Sequence, residues 1–153
     1  MVADPLLLKT LLVPVLQTIH VKNILMAENA KEAFDLFCNH SSGLVLADWD
    51  MTLANGMDLT QKIRHDPLSP DRRVPVVLLT GDDTPMIPMT QARDAGVTRL
   101  LLKPFSRDDL IKRMTHAMND SREFIDCPAY VGPDRRRKQA AGYAGPFRRT
   151  TDR

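Results

Sequence analysis

The 153 residues carry 21 basic and 19 acidic side chains, a formal net charge of +2, and 43% apolar residues. That length and balance suit one soluble domain with a modest core. No apolar run approaches the roughly 18–20 residues of a membrane span, and Met1–Pro5 has no basic leader, so a cytoplasmic protein is expected.

The charge is unevenly spread. Residues 1–120 hold 13 basic and 15 acidic side chains, whereas residues 121–153 hold 8 basic and 4 acidic. The change of character near Asp120 divides a domain at 1–118 from a basic extension at 119–153. The two cysteines lack metal-ligand spacing; Cys38 is expected as a small buried residue and Cys127 as a linker thiol.

In chain order, Leu7, Leu8, Leu11, Leu12 and Val15 define a helical face over residues 5–19, which Pro14 should kink or end. Asn23–Ala27 (NILMA) reads as a short strand. Ala30, Ala33, Phe34 and Phe37 recur at helical spacing to about Asn39. Gly43–Ala47 is a second buried strand. Met57–Arg64 is a short helix that turns Leu59, Ile63 and the Lys62 stem inward. Asp66–Arg73 is a loop by its prolines.

Val74–Thr80 is a strong strand. A helix is expected from about Thr84 to Ala95, stopped by Gly96. Arg99–Leu102 is another strand and Lys103-Pro104-Phe105 a turn. Ser106 is a good N-cap for a last helix to Met118. Strands alternating with helices imply a parallel sheet between helical layers, with chemistry beyond the carboxyl ends of its strands. Asp48, Thr80 and Lys103 all fall at such ends.

Leu44–Gly56 (LVLADWDMTLANG) places two acids at a strand mouth, and two known families fit it. Asp48-Trp49-Asp50-Met51-Thr52-Leu53 resembles the first motif of haloacid-dehalogenase-type phosphatases. That family needs a second acidic pair at a later strand end. Here the acids after Lys103 are Asp108 and Asp109, inside the last helix. The ordered set Asp48-x-x-Met51-x-x-x-x-Gly56, Thr80-Gly81, Ala95-Gly96 and Lys103-Pro104-Phe105 instead resembles a CheY-like response-regulator receiver of bacterial two-component signalling, over roughly residues 1–118.

The resemblance implies a flavodoxin-like, doubly wound parallel sheet of five strands in the order 2-1-3-4-5. It implies phosphorylation of Asp48 by a histidine kinase or phosphorelay. It also implies Mg2+ held by Asp4, Asp48 and the backbone carbonyl of Asp50, Lys103 and Thr80 on the phosphoryl oxygens, and a cis bond before Pro104. A stand-alone, non-enzymatic regulator is expected. It would signal through a protein face formed by Met86–Ala95, Arg99–Leu102 and Ser106–Met118, without specific DNA binding.

The chain departs from the family in four places. Met1-Val2-Ala3 is short for a central strand, and Ala3 stands where the family has a second acid. Leu100 stands where it often has Tyr or Phe. Thr52 replaces a Pro. Ala3, the short first strand and Leu100 leave a second expectation, a degenerate receiver that binds proteins without phosphorylation; the Thr52 change is mild. The extension is expected to be flexible and solvated. Docking through Phe124, Tyr130 and the arginines, or contact with nucleic acid or acidic membrane, are the alternatives. Its Gly132-Pro133-Asp134-Arg135-Arg136-Arg137 resembles endings found on other stand-alone receivers.

Overall fold

The computed structural model describes residues 10, 12–50, 55–81 and 89–135. Three parallel strands, β1 (Val45–Asp48), β2 (Val76–Thr80) and β3 (Arg99–Leu102), pair in the order β1-β2-β3. Around them run α1 (Val13–Thr18), α2 (Ala30–Asn39), α3 (Gly56–His65), α4 (Met89–Asp94) and α5 (Arg107–Met118).

Alternation along the strands divides the core. Val45, Ala47, Val76 and Leu78 face one cluster with Phe34, Phe37, Leu59, Ile63 and Ala92. Leu46, Val77, Leu79 and Leu101 face the other, with Leu12, Leu16, Leu110 and Met114. Both faces of β1 and β2 are covered, which explains apolar runs rather than alternating polarity in the sequence.

The helix starts are set locally. Asn55 and Ser106 each form a capping box, with Asp58 and Asp109 respectively. Asn29 caps α2 by accepting from the Glu32 N–H. Gly96, at φ 84°, stops α4 as expected. Pro14 does not end the first helical segment. It sits in the first turn of α1, where a missing N–H costs no helical bond, and α1 continues to Thr18.

Asn23–Ala27 departs from its expected strand: among the described residues it shows a single bridge residue, Ala27. A cavity of about 230 Å³, lined by Leu16, Ile24, Leu25, Leu46 and Met114, lies between this segment and β1. The expected 2-1-3 order assigns that place to the first strand, whose residues Met1–Ala3 lie outside the described residues. Cys38 also departs: it is exposed, its thiol donating to the Leu68 carbonyl at 3.5 Å. Lys62 is exposed too, its ammonium 4.5 Å above the Phe34 ring.

The expected flexible extension is, over residues 119–135, an ordered strap. β4 (Phe124–Cys127) and β5 (Tyr130–Pro133) form an antiparallel hairpin with a two-residue turn, Cys127 opposite Tyr130. Tyr130 and Val131 are buried. The strap covers Arg64, the largest fully buried side chain among the described residues. Arg64 donates from Nε to the Gly96 carbonyl (3.1 Å) and from one terminal nitrogen to the carbonyls of Arg72 (2.6 Å) and Val74 (2.9 Å). Its guanidinium lies 5.5 Å from the Phe124 ring centre. Burial pulls its pKa down to about 10, against the opposing pull of Tyr130 and Asp71. The group is still a cation at neutral pH.

At the strap's start Asp120 holds two arginines, Arg99 at 2.8 Å and Arg122 at 2.5 Å, and Arg122 also donates to the Thr98 carbonyl. Burial pushes the Asp120 carboxyl up, but the hydrogen bonds and charge of Arg122, with the charge of Arg99, hold it below its ordinary 3.8. A depressed carboxyl contributes stability above the unfolded-state value and loses it as pH falls through the folded one. The stability gap between wild type and Asp120→Asn, measured by urea unfolding, is therefore expected to be full at pH 6. It should close as pH drops below about 4. A gap that stays constant to pH 2.5 would contradict this.

Candidate functional site

The parallel register brings three distant chain segments to one end of the sheet. Asp48 ends β1 opposite Leu79, and Thr80 ends β2 opposite Leu102. Lys103 follows β3 and donates its backbone N–H to the Thr80 carbonyl at 2.7 Å. Asp48 is 1% exposed and Thr80 6%. The Lys103 ammonium reaches Asp48 Oδ2 at 2.5 Å, and its side chain keeps 26% of its surface accessible. Asp48 Oδ1 accepts the Asp50 N–H at 3.2 Å. A nearly buried carboxylate is thus held by one ammonium and one amide, with one side open to solvent through Lys103.

Local structure aims each group. Trp49 N–H bonds the Leu79 carbonyl at 2.7 Å and extends the ladder one residue past Asp48. The Lys103-Pro104 bond is cis, as expected. Phe105 then packs on the core cluster behind β3, and Ser106 opens α5. Beneath β1, the amino end of α3 lies close: a Cβ on Gly56 would sit 2.6 Å from the Asp48 carbonyl oxygen and 2.4 Å from Leu78 Cδ1. Gly56 is therefore a close-approach glycine, which gives its place in the sequence pattern a physical reason.

Of the residues singled out in the sequence, Asp48, Thr80 and Lys103 converge, and Asp50 adjoins them. Asp4 lies outside the described residues, as do Met51–Ala54. Among the described residues no group of three or more His, Cys, Asp or Glu could hold a metal. Asp48 and the Asp50 carbonyl are hard oxygen donors of the kind magnesium takes alongside water and phosphate, so the described donors fit that ion.

A family model described as the response regulator receiver domain matches residues 1–115. The chain belongs to the response-regulator receiver family. This receiver is 31% identical over 94 residues to the chemotaxis protein CheY1 of Helicobacter pylori, covering 61% of this chain and 73% of that protein. It is 34% identical over 97 residues to the transcriptional regulatory protein PdtaR of Mycobacterium tuberculosis, covering 63% and 44%. The phosphate regulon regulator PhoB of Pseudomonas aeruginosa is 29% identical over 92 residues, with 59% and 38% covered.

Solved receivers share the fold. Vibrio cholerae CheY4 superposes with a TM-score of 0.66 at 19% identity, covering 76% of this chain and 93% of its own. The receiver domain of the Pseudomonas aeruginosa sensor kinase PA1611, which holds magnesium in its active-site cleft, gives 0.66 at 21% identity, covering 78% and 94%. The phosphatase reading of Asp48-Trp49-Asp50 is set aside by this family assignment; receivers are signalling domains. Among the described residues of this receiver, no helix is long and apolar enough to cross a membrane.

Thr60, Arg64 and Thr98 are buried polar residues that the apolar spacing does not mark. Arg64 is the largest of them. Its helical neighbours Thr60 and Ile63 are also buried, so the inward face is wider than the apolar spacing marked.

Proposed function

We propose that this receiver accepts a phosphoryl group on Asp48 from a histidine kinase or phosphotransfer protein and signals through protein contact. The observation that carries the reading is the Lys103–Asp48 pair at 2.5 Å at the end of β1, beside Thr80. A carboxylate oxygen of Asp48 attacks the donor's phosphorus. One O–P bond forms as the bond from phosphorus to the donor breaks, and the donor leaves with that electron pair. A carboxylate has no proton to lose before it attacks, so no base is needed.

Lys103 offsets the charge of the incoming group and then pairs with a phosphoryl oxygen, while the Thr80 hydroxyl donates to another. Asp4, Asp48 and the Asp50 carbonyl would hold Mg2+, which supplies further charge compensation for the phosphoryl oxygens. The face of α4, β3 and α5 is the proposed contact surface. Leu102, 61% exposed on β3, supports it.

The test is labelling from acetyl phosphate or a cognate kinase, with and without magnesium. Wild type should take up label only with the metal, and Asp48→Ala none. Label retained by the variant would move the acceptor elsewhere. A second reading, a receiver that binds partners without phosphorylation, is favoured by one observation. Leu100 is packed against the core cluster and can present neither a ring nor a hydroxyl to the switch. Wild type that never labels would select it.

A further inference from the structure

Besides covering Arg64, the strap meets one short stretch of chain at three successive points, the connection between α4 and β3. Arg135 pairs with Asp94 at the end of α4 while lying 4.0 Å from the Tyr130 ring centre. Gly132 packs on Gly96: a Cβ on Gly132 would fall 2.7 Å from the Gly96 Cα, and a Cβ on Gly96 would fall 2.4 Å from the Val131 carbonyl oxygen. Arg122 donates to the Thr98 carbonyl at 2.9 Å. Residues 94, 96 and 98 are thus each held by the strap.

Those three residues sit between the two arms of the site. On one side α4 leads back towards Thr80. On the other, β3 leads to Lys103. The contact is at the amino ends of β2 and β3, roughly 13–17 Å from Asp48 at the rise of a four- to five-residue strand. It cannot touch the phosphoryl group, but it fixes the segment about which both arms would turn. The grip is also incomplete. A cavity of about 550 Å³, lined by Arg73, Thr98, Asp120, Arg122 and Phe124, remains between the hairpin and the body. Beyond the buried Tyr130 and Val131, the strap is held by surface ion pairs, a glycine contact and a hydrogen bond beside this cleft, so its local stability lies below that of the parallel sheet.

We propose that residues 119–135 are a built-in brake: docked on the α4–β3 connection, the strap favours the arrangement in which Lys103 closes on unmodified Asp48, and its release favours phosphoryl uptake. The docked strap and the closed Lys103–Asp48 pair occur together in this structure. The coupling is reciprocal, so phosphorylation of Asp48 loosens the strap. The inference rests on Asp48 being the acceptor.

The experiment uses the full chain in four forms: wild type, Arg135→Asp, the swap Asp94→Arg with Arg135→Asp, and Gly132→Val. Labelling from acetyl phosphate with magnesium is followed beside hydrogen exchange of the 124–127 and 130–132 amides. Arg135→Asp should speed hairpin exchange and raise the initial labelling rate about fivefold or more, at the low end of typical couplings. The swap should restore both. In wild type, hairpin exchange should quicken once label is in place.

A labelled wild type whose rate is unchanged by an open strap overturns the brake and leaves the acceptor standing. A wild type that never labels overturns the acceptor and the brake with it. Gly132→Val opens the strap by sterics alone. If hairpin exchange stays at the wild-type rate in both variants, the docking itself is overturned.

Discussion

Arg64→Ala is expected to cost about 3–5 kcal/mol of folding stability, read as a fall in the urea midpoint. The side chain is fully buried and supplies donors to three backbone carbonyls, at Gly96, Arg72 and Val74. Alanine leaves those acceptors without their donor, at roughly 1–3 kcal/mol for each that water does not reach. It also leaves a cavity under Phe124 and removes what the strap packs against. One effect opposes the loss. Among the described residues no carboxylate pairs with the guanidinium, and one terminal nitrogen has no hydrogen-bond partner. Removing a desolvated cation therefore returns some free energy.

Arg64→Met separates the two effects: it keeps most of the volume and drops the charge. It should cost about 1–3 kcal/mol, less than alanine. With total stabilities of about 5–15 kcal/mol for such domains, the alanine variant should be partly unfolded on warming. A midpoint within 0.5 kcal/mol of wild type, on the ordinary scale for surface changes, would show that Arg64 is not the keystone described here.

Gly56→Ala should be nearly as damaging and should reach the site. The added methyl meets the Asp48 carbonyl at 2.6 Å, and backbone does not swing aside. Either α3 lifts from β1 or the end of β1 moves. Overpacking of this kind costs about 1–3 kcal/mol. The more informative readout is labelling. Asp48 and Lys103 need their present separation, and a displacement near 1 Å can cost on the order of 100-fold in rate. Gly43, which has open space around its Cα, is the control. Gly43→Ala should leave both stability and labelling unchanged. Equal labelling by Gly56→Ala and wild type would mean that the helix yields without moving Asp48.

The site was legible where the signal was local. Asp48, Thr80 and Lys103 each end an apolar run, and parallel pairing puts such ends together. Ser106 and Gly96 were readable because a cap and a stop depend on neighbours a few residues away. The failures lie where structure depends on distant partners. Asn23–Ala27 has strand composition, and its expected neighbour, Met1–Ala3, lies outside the described residues. Arg64 counts as polar in any pattern, but carbonyls from two loops and a ring from the extension bury it.

The strap did have a signal. Phe124–Cys127 and Tyr130–Gly132 are two runs with β-forming residues, separated by two, which is hairpin spacing. Net positive charge with Gly and Pro masked it. Those features describe the Arg136–Arg153 remainder, outside the described residues, better than they describe the hairpin.

The strap is held by two kinds of contact, and ionic strength should tell them apart. Arg135 on Asp94 is a surface contact, which counterions at 0.15 M and above progressively screen. Tyr130 and Val131 are buried against the body, and the Arg64 guanidinium lies 5.5 Å from the Phe124 ring centre, beyond the reach of dissolved ions. In dilute buffer both kinds of contact fasten the extension. In brine it hangs on the interior contacts alone, so the ionic strength around the protein becomes an input to how firmly this domain is closed.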